Sequence, residues 1–202
     1  MQVSLADVGK RFNQKWIFKG LSFQFDSGLH YAVTGKNGSG KSTLLLITAG
    51  YLSPTRGKTQ WLRQEKPIEA EKLHKYLTIA SPYLELIEEF TLDETLKFHQ
   101  KFKPFANGFN PGKLTELSGL AESRHKPIRH FSSGMKQRLK LLLAIASDTP
   151  LVLLDEPCSN LDNDAVMWYQ KLKEDMGTGR TFVIFSNHNP LEYPNVCKIY
   201  SI

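Results

Sequence analysis

Gly35-Lys36-Asn37-Gly38-Ser39-Gly40-Lys41-Ser42 is the stretch that decides the fold, and Thr43-Leu44-Leu45-Leu46 continues it. It fits the pattern G-x-x-x-x-G-K-[ST], which indicates a phosphate-binding loop when a strand precedes it and a helix follows it. The short β-prone run at 30–34 comes before it, and an apolar run at 43–49 comes after it. The sequence therefore predicts a strand, a phosphate-binding loop and a helix in that order.

Each residue type in this loop has a physical reason to face phosphate. Gly35, Gly38 and Gly40 have no Cβ, so the backbone can turn tightly and approach a ligand closely. Successive backbone N–H groups and the N-terminus of the next helix then favour an anion. Lys41 would reach the β- and γ-phosphates, and the Ser42 hydroxyl would ligate Mg²⁺. A glycine-rich turn that matches by chance is the alternative that this motif alone leaves open.

Composition limits the class of protein less sharply. The chain has 202 residues of which 41% are hydrophobic, enough for one domain or for a domain with a subdomain. Its formal charge of +6 favours phosphates, an anionic membrane surface or nucleic acid, although a well-solvated surface explains it equally. The two cysteines are expected to be reduced thiols of a cytosolic protein. Neither a signal peptide nor a membrane-spanning run is recognised, so a role at a membrane would need another chain.

Hydrophobic patterning predicts an α/β architecture. Expected strands lie at 3–8, 17–25, 58–62, 76–80, 151–154, 181–185 and 196–202, with Phe12 in the turn between the first two and another turn at 54–57. Charged residues at 63–75 are expected to be exposed. Residues 84–133 are expected to form an α-helical subdomain, in which Thr91 and Glu94 open a helix as a capping box. Ser132 or Ser133 should cap the next helix.

A pair of carboxylates follows the most apolar predicted strand. Asp155 and Glu156 come directly after residues 151–154, where the carboxyl end of a buried strand would meet the phosphate loop. There Asp155 would hold Mg²⁺ and Glu156 would orient an attacking water. The alternative is an acidic pair that merely favours a helix N-terminus.

Five ordered motifs make the chain resemble the ATP-binding cassette (ABC) ATPases over nearly its whole length. The phosphate loop is the first, and the run 151–157 corresponds to the Walker B motif of that family. Residues 131–135, Phe-Ser-Ser-Gly-Met, stand where the family has its LSGGQ signature, and residues 159–162 stand at its D-loop. His188 matches the switch histidine.

The resemblance implies a role for each matching residue. Phe12, by its place before the second strand, would stack on adenine, and Trp16 is a rival for that role. Glu156 would be the catalytic base, and His188 and Lys41 would contact the γ-phosphate. The residues expected to bind ATP are Phe12, Gly35, Asn37, Gly38, Ser39, Gly40, Lys41, Ser42, Thr43, Ser132 and Gly134, and those expected to bind Mg²⁺ are Ser42 and Asp155. Ser132 and Gly134 would act on the ATP of a facing subunit, or Ser132 would be an ordinary helix cap.

The resemblance also implies the fold, the partners and the location. It predicts one P-loop NTPase domain of ABC type over 1–202, with a mixed β core, an antiparallel β subdomain and the helical subdomain. The chain is short for the family and resembles exporters, so we expect an ATPase that powers export through integral membrane subunits. We expect it to pair with a second copy or a paralogue, to lie in the cytoplasm at the inner face of the membrane, and not to bind nucleic acid directly.

Two departures from the family pattern are visible. Ser81 stands where the family usually has a glutamine that bridges Mg²⁺ and the transport partner, and a serine would need a water to reach the metal. The signature has Phe131, Ser133 and Met135 where Leu, Gly and Gln are usual, but its serine and second glycine are intact. Cys158 is assigned no role.

Two other functions compete with this interpretation. The first is a soluble ABC protein that acts on nucleic acid or ribosomes, but such members carry two cassettes or a coiled-coil insertion, and neither is recognised here. The second is a P-loop kinase of a small molecule, which would need no signature or D-loop. The transported substrate cannot be inferred, because in this family the membrane subunits select it.

Overall fold

A computed structural model of the protein describes all residues 1–202. The strands are β1 (Gln2–Phe12), β2 (Lys15–Phe25), β3 (His30–Thr34), β4 (Arg56–Arg63), β5 (Lys66–Pro67), β6 (Leu77–Ala80), β7 (Leu151–Asp155), β8 (Thr181–Ser186) and β9 (Lys198–Ser201). The helices are α1 (Lys41–Thr48), α2 (Leu92–Phe102), α3 (Pro111–Leu117), α4 (Ser133–Ala146) and α5 (Asn163–Gly177). Short 3₁₀ helices lie at Ala70–Lys75, Ala106–Gly108, Ala121–Ser123, Ile128–His130 and Pro190–Glu192.

The strands form two sheets of different character. Five strands make a wholly parallel sheet in the order β6-β7-β8-β3-β9. Four others make an antiparallel sheet in the order β2-β1-β4-β5. The α/β fold with an antiparallel β part is therefore confirmed, and parallel and antiparallel pairing are separated between the two sheets. The carboxyl ends of β3 and β7 lie at the same edge of the parallel sheet, which is where such sheets bind ligands.

The parallel sheet separates two hydrophobic cores. Val152 and Leu154 of β7 face a core that includes the inner sides of α4 and α5. Leu151 and Leu153, the alternate residues, face a second core shared with α1 and the antiparallel sheet. Because side chains alternate along a strand, a strand buried on both faces must be apolar throughout. That requirement explains the uninterrupted apolar run that leads to Asp155.

Specific N-caps confirm the predicted starts of two helices. Thr91 and Glu94 form the capping box of α2, since Thr91 Oγ1 accepts a bond from the Glu94 N–H and the Glu94 carboxylate accepts one from the Thr91 N–H. Ser132, rather than Ser133, caps α4 by accepting a bond from the Met135 N–H at 3.2 Å. Helical structure does occupy much of 84–133, whereas the limits of a separate subdomain stay a prediction.

The β1–β2 hairpin corrects two sequence predictions. Phe12 is not in the turn but is the last residue of β1, opposite Lys15. Gly57, predicted to be in a turn, lies inside β4 next to Arg56, which pairs with Gly9. A Cβ on Gly57 would lie 2.4 Å from the carbonyl oxygens of β1, so this glycine permits close contact between strands where the register of β1 shifts.

The charged stretch 63–75 is more ordered than its composition indicates. It contributes the end of β4, the short β5 and a 3₁₀ helix, and Leu73 of that helix is fully buried. A Cβ on Gly50 would lie only 2.5 Å from a methyl group of Leu73. One apolar residue among many charged ones thus anchors the segment beside the end of α1.

Candidate active site

The phosphate-binding loop connects β3 to α1, as predicted. Gly38 and Gly40 have φ angles of 82° and 101°, in the region that favours glycine. A Cβ on Gly40 would also lie 2.5 Å from the Ile17 side chain and 2.8 Å from the Phe18 ring. Gly35 packs against Ser39, whose buried hydroxyl has no hydrogen-bond partner. The conformation of the loop therefore depends on close packing against β2 as well as on its own glycines.

Lys41 lies inside this loop and is 6% exposed. Its ammonium group donates to the carbonyl oxygens of Gly35, at 2.9 Å, and Lys36, at 3.2 Å. The Glu156 carboxylate is 3.8 Å from the same nitrogen. Two backbone carbonyls thus hold a positive charge inside the loop, with no carboxylate within normal hydrogen-bonding distance. An anion that enters the loop can replace the carbonyl contacts.

Two hydroxyl groups converge on one carboxylate oxygen of Asp155, at the end of β7. Ser42 donates to Asp155 Oδ2 at 2.8 Å, and Ser81 donates to the same atom at 3.3 Å. Burial raises the pKa of Asp155, whereas the hydrogen bond from Ser42 opposes that rise. Ser81, at the end of β6, therefore contacts the carboxylate directly, a role that the sequence did not predict.

The residues predicted to hold Mg²⁺ suit that ion chemically. Ser42 and Asp155 offer a hydroxyl and a carboxylate oxygen, the donor types that Mg²⁺ prefers. Mg²⁺ is usually held by one or two carboxylates together with substrate phosphates and water. The protein has no cluster of three or more His, Cys, Asp or Glu side chains that could hold a metal ion.

Glu156 lies beyond the strand, in a turn. Its φ angle is 44°, an unusual value for a residue with a side chain, and its N–H donates to the Phe185 carbonyl at 2.8 Å. The parallel neighbour β8 therefore fixes this backbone. The side chain is 36% exposed, so water can reach the carboxylate.

Most of the predicted loop residues line one polar pocket of about 480 Å³ together with Glu156, whereas Gly35, Ser39 and Asp155 do not line it. Its lining consists of Ile17, Asn37, Gly38, Gly40, Lys41, Ser42, Thr43, Tyr83 and Glu156. Tyr83 and Ile17 were not predicted. Nothing local in the sequence identifies Ile17, whereas an exposed aromatic just after a strand end is a signal that could have identified Tyr83.

Phe12 does not line this pocket and is 49% exposed at the end of β1. Its ring lies under the ammonium group of Lys10, 5.1 Å away, and Trp16 lies between Arg11 and Lys19. Neither aromatic belongs to a hydrophobic core, although the Trp16 ring is half-buried and covered by Arg11 and Lys19. The adenine role of Phe12 stays a prediction.

Ser132 and Gly134 line a different pocket, together with Arg138, Asn160 and Asp162. A Cβ on Gly134 would lie 2.8 Å from the Asn160 carbonyl oxygen, so the turn that opens α4 packs tightly against the predicted D-loop. The lining of this pocket shares no residue with that of the pocket at Lys41. Within one chain, the structure does not bring the signature residues and the phosphate loop into the same pocket.

His188 follows β8 and is exposed, with a φ angle of 55°. The next residue is tied to the end of the strand, since the Asn189 N–H donates to the Ser186 hydroxyl at 3.2 Å. The imidazole does not line the pocket at Lys41. Its predicted contact with a γ-phosphate therefore stays a prediction.

A third pocket, of about 370 Å³ and mainly apolar, adjoins Ser81 and extends toward α2 and α4. His99 of α2 and Lys103, the residue after that helix, line it, and burial lowers the pKa of His99 to about 4. Lys140 of α4 donates to the carbonyl oxygens of Ser81 and Pro82 at its edge. Ser81 thus lines this pocket and also donates to the Asp155 carboxylate.

None of the helices has the length and apolar character that a membrane crossing requires.

Comparisons with known proteins agree with this geometry. Residues 18–159 match the family model described as ABC transporter. The chain is 31% identical over 198 residues to the cytochrome c biogenesis ATP-binding export protein CcmA of Agrobacterium fabrum, covering 95% of this chain and 91% of that protein. It is 29% identical to the Nod factor export ATP-binding protein I of Rhizobium etli, covering 96% of this chain but only 63% of the relative's length.

Solved structures share the fold at lower sequence identity. An ATP-binding cassette in a dimeric post-hydrolysis state, bound to ADP and Pi, superposes with a TM-score of 0.79 at 20% identity, covering 94% of this chain and 90% of that one. A bacterial Atm1-family ABC exporter with ATP bound gives 0.76 at 20% identity, with 92% of this chain and 34% of that one covered. From the order of its motifs, the convergence of the loop, Asp155 and Glu156, and these matches, we conclude that the chain belongs to the ABC transporter family of ATP-binding proteins.

Proposed function

We propose that this protein binds and hydrolyses Mg-ATP and thereby powers an export-type membrane transporter. The observation that carries the proposal is the convergence of Lys41, Ser42, Asp155 and Glu156 at the carboxyl ends of β3 and β7. A small-molecule kinase shares the phosphate loop but has no use for the signature and D-loop that pack together at Gly134. Family membership supports the ATPase over that alternative.

Each residue then has a defined task. The ammonium group of Lys41 exchanges its two carbonyl contacts for phosphate oxygens of ATP. Ser42 and Asp155 would hold Mg²⁺, which neutralises developing charge on the phosphates when bound. Glu156, within reach of water, orients the attacking water and accepts its proton.

The separate pocket at the signature residues points to a partner ATPase. Ser132 and Gly134 offer a hydroxyl and N–H groups at the start of α4, a chemistry suited to phosphate, yet they line a pocket separate from the phosphate loop. A facing copy or paralogue would bring its own signature over this chain's ATP. The dimeric form of a structurally similar cassette is compatible with this arrangement.

Mixing two inactive variants tests this dimer. We expect Lys41→Ala and Ser132→Asp to be inactive separately, the first because its phosphate loop fails and the second because its new charge repels phosphate. Aspartate is a good N-cap, so α4 keeps its cap. A mixed dimer has one site built from the intact loop of one chain and the intact signature of the other, so the mixture should regain phosphate release.

The control is Asn110→Asp, which places the same charge at the exposed cap of α3, where Asn110 accepts a bond from the Lys113 N–H at 2.9 Å. That variant should hydrolyse ATP like the unmodified protein. If the mixture stays inactive although the two variants associate, the signature does not act across a dimer.

The apolar pocket beside Ser81 is the proposed contact with the membrane subunits. It adjoins the Asp155 carboxylate through Ser81, so an apolar segment docked there would lie next to the proposed Mg²⁺ ligands. Two relatives carry export in their names, which supports export as the direction of transport. We propose that the protein works at the cytoplasmic face of the membrane, held there by such partners.

Ser81 gives a graded prediction at this pocket. Ser81→Ala removes the 3.3 Å bond to Asp155 and the 3.4 Å bond that the Ser81 hydroxyl accepts from the Tyr83 N–H, but it leaves the 2.8 Å bond from Ser42. Turnover should therefore fall less than about tenfold, equivalent to roughly 1.4 kcal/mol. Ser81→Gln should be tolerated, because it restores the usual side chain without adding a charge. Steady-state phosphate release is the measurement, with the exposed Ser53→Ala as the matched control. A larger loss for Ser81→Ala would show that this hydroxyl acts on the metal or substrate itself.

A further inference from the structure

Glu192 is a buried carboxyl group that the mechanism above does not use. It ends the 3₁₀ helix Pro190–Glu192 and is 3% exposed. Its Oε1 atom accepts a bond from the backbone N–H of Cys158 at 3.3 Å, whereas Oε2 is buried without any hydrogen-bond partner. Leaving a buried polar atom unpaired is destabilising, so a carboxyl group at this position requires an explanation.

The carboxyl group connects two turns that are close to the proposed chemistry. Cys158 is two residues after Glu156, and Glu192 is four residues after His188. Both Glu156 and His188 have positive φ angles, 44° and 55°, so each turn needs support from its surroundings. A hydrogen bond between Glu192 and Cys158 links these two turns directly.

The far end of this link is held firmly by α5. The Tyr169 hydroxyl donates to the Glu192 carbonyl at 2.6 Å, and Gln170 donates to the Leu191 carbonyl at 2.8 Å. One turn later, Lys173 donates to the Pro194 carbonyl at 2.8 Å. Because Tyr169 is fully buried, the backbone of Glu192 has a fixed place from which its side chain reaches the Cys158 turn.

We propose that Glu192 is a positioning residue, which holds the turn that carries Glu156 in register with the turn that carries His188. This inference rests on the proposed ATPase function, since it assigns Glu192 to the alignment of those two residues. The link acts after ATP is bound and does not touch the phosphate loop. Its loss should therefore lower kcat and leave the KM for ATP nearly unchanged.

The charge state of Glu192 supplies a readout that packing alone would not change. Burial, together with the acidic groups Glu156 and Asp155, raises its pKa to about 7, while the nearby Ser186 hydroxyl and the Cys158 N–H oppose the rise. Cys158 and Tyr169 also face it, and burial raises the pKa of the Cys158 thiol to about 12, so that group stays neutral near pH 7. An ionised carboxylate accepts a stronger hydrogen bond than a neutral one. Turnover should therefore rise as pH increases through about 7.

The test compares Glu192→Ala, Glu192→Gln and the exposed control Glu122→Gln by steady-state phosphate release from pH 5.5 to 8.5. For Glu192→Ala we expect kcat to fall by up to about a hundredfold, the scale of a misalignment of the reacting groups, with an unchanged KM. Glutamine keeps an acceptor oxygen for Cys158 but cannot ionise. The Glu192→Gln variant should therefore retain most of its turnover and lose the rise near pH 7.

Thermal unfolding gives a second readout that is independent of hydrolysis. The pKa of Glu192 is raised in the folded state, so the stability that its protonated form contributes is lost as pH rises through about 7. The melting temperature of Glu192→Gln, relative to the unmodified protein, should therefore increase between pH 5 and pH 8. Glu122→Gln should show no such trend.

The outcomes are distinguishable. If the unmodified protein hydrolyses ATP and Glu192→Ala does so with the same kcat, or Glu192→Gln keeps the same pH profile, the positioning role is wrong and the ATPase function stands. If the unmodified protein does not hydrolyse ATP, the proposed function fails and the positioning role fails with it. Should Glu192→Ala not fold, the pH profile and melting curve of Glu192→Gln decide the matter.

Discussion

The Lys41→Ala protein is expected to lose most of its affinity for ATP. Lys41 is nearly inaccessible to bulk water, and its two hydrogen bonds go to backbone carbonyls that ATP would displace. Hydrogen bonds to a charged group contribute about 1.5 to 3 kcal/mol. The dissociation constant should therefore rise roughly 10- to 150-fold.

Isothermal calorimetry with ATP and Mg²⁺ measures this change directly. The matched control is Lys58→Ala, which removes an exposed positive charge from β4 and should leave the affinity unchanged. Melting curves of both variants separate a binding defect from a folding defect. Unaltered ATP affinity in a folded Lys41→Ala protein would disprove the phosphate-loop assignment.

The Glu156→Gln protein should bind ATP normally and hydrolyse it about 10² to 10⁴ times more slowly, as expected for the loss of a general base. Glutamine has nearly the same size, and the left-handed turn is fixed through the Glu156 N–H, which the substitution keeps. The Asp155 carboxylate and its bond from Ser42 are also untouched. The defect should therefore lie in the chemical step.

Single-turnover phosphate release isolates that step, and calorimetry on the same sample verifies binding. Glu122→Gln, an exposed substitution of the same type, should hydrolyse ATP at the normal rate. Should Glu156→Gln release phosphate as fast as the unmodified protein, another group accepts the proton.

Short-range signals in the sequence predicted much of the fold. β3 was predicted with its exact bounds, and α1 could be placed because Gly40 and Gly50 mark its two ends. The capping box at Thr91 is likewise a property of four neighbouring residues. Such features depend on local backbone and side-chain chemistry, which the sequence displays directly.

Features that depend on distant parts of the chain were missed. Gly57 looked like a turn residue because its close approach to β1 involves residues about 50 positions earlier. The direct contact between Ser81 and Asp155 joins the ends of β6 and β7, which lie 74 residues apart in sequence. No role was predicted for Glu192, since neither its burial nor its bond to Cys158 leaves a local pattern.

The contact between Gly134 and Asn160 has a consequence for how two facing chains would work together. The start of α4 touches the D-loop through Gly134, and Gln137 one turn later donates to the Pro157 carbonyl at 3.1 Å. The elements that would sense the neighbour's nucleotide are thus continuous with the turn that carries this chain's own Glu156. Closure at one site would therefore be transmitted through these contacts to the other site. The two sites of such a pair should hydrolyse ATP cooperatively, and the hydrolysis rate should depend sigmoidally on ATP concentration.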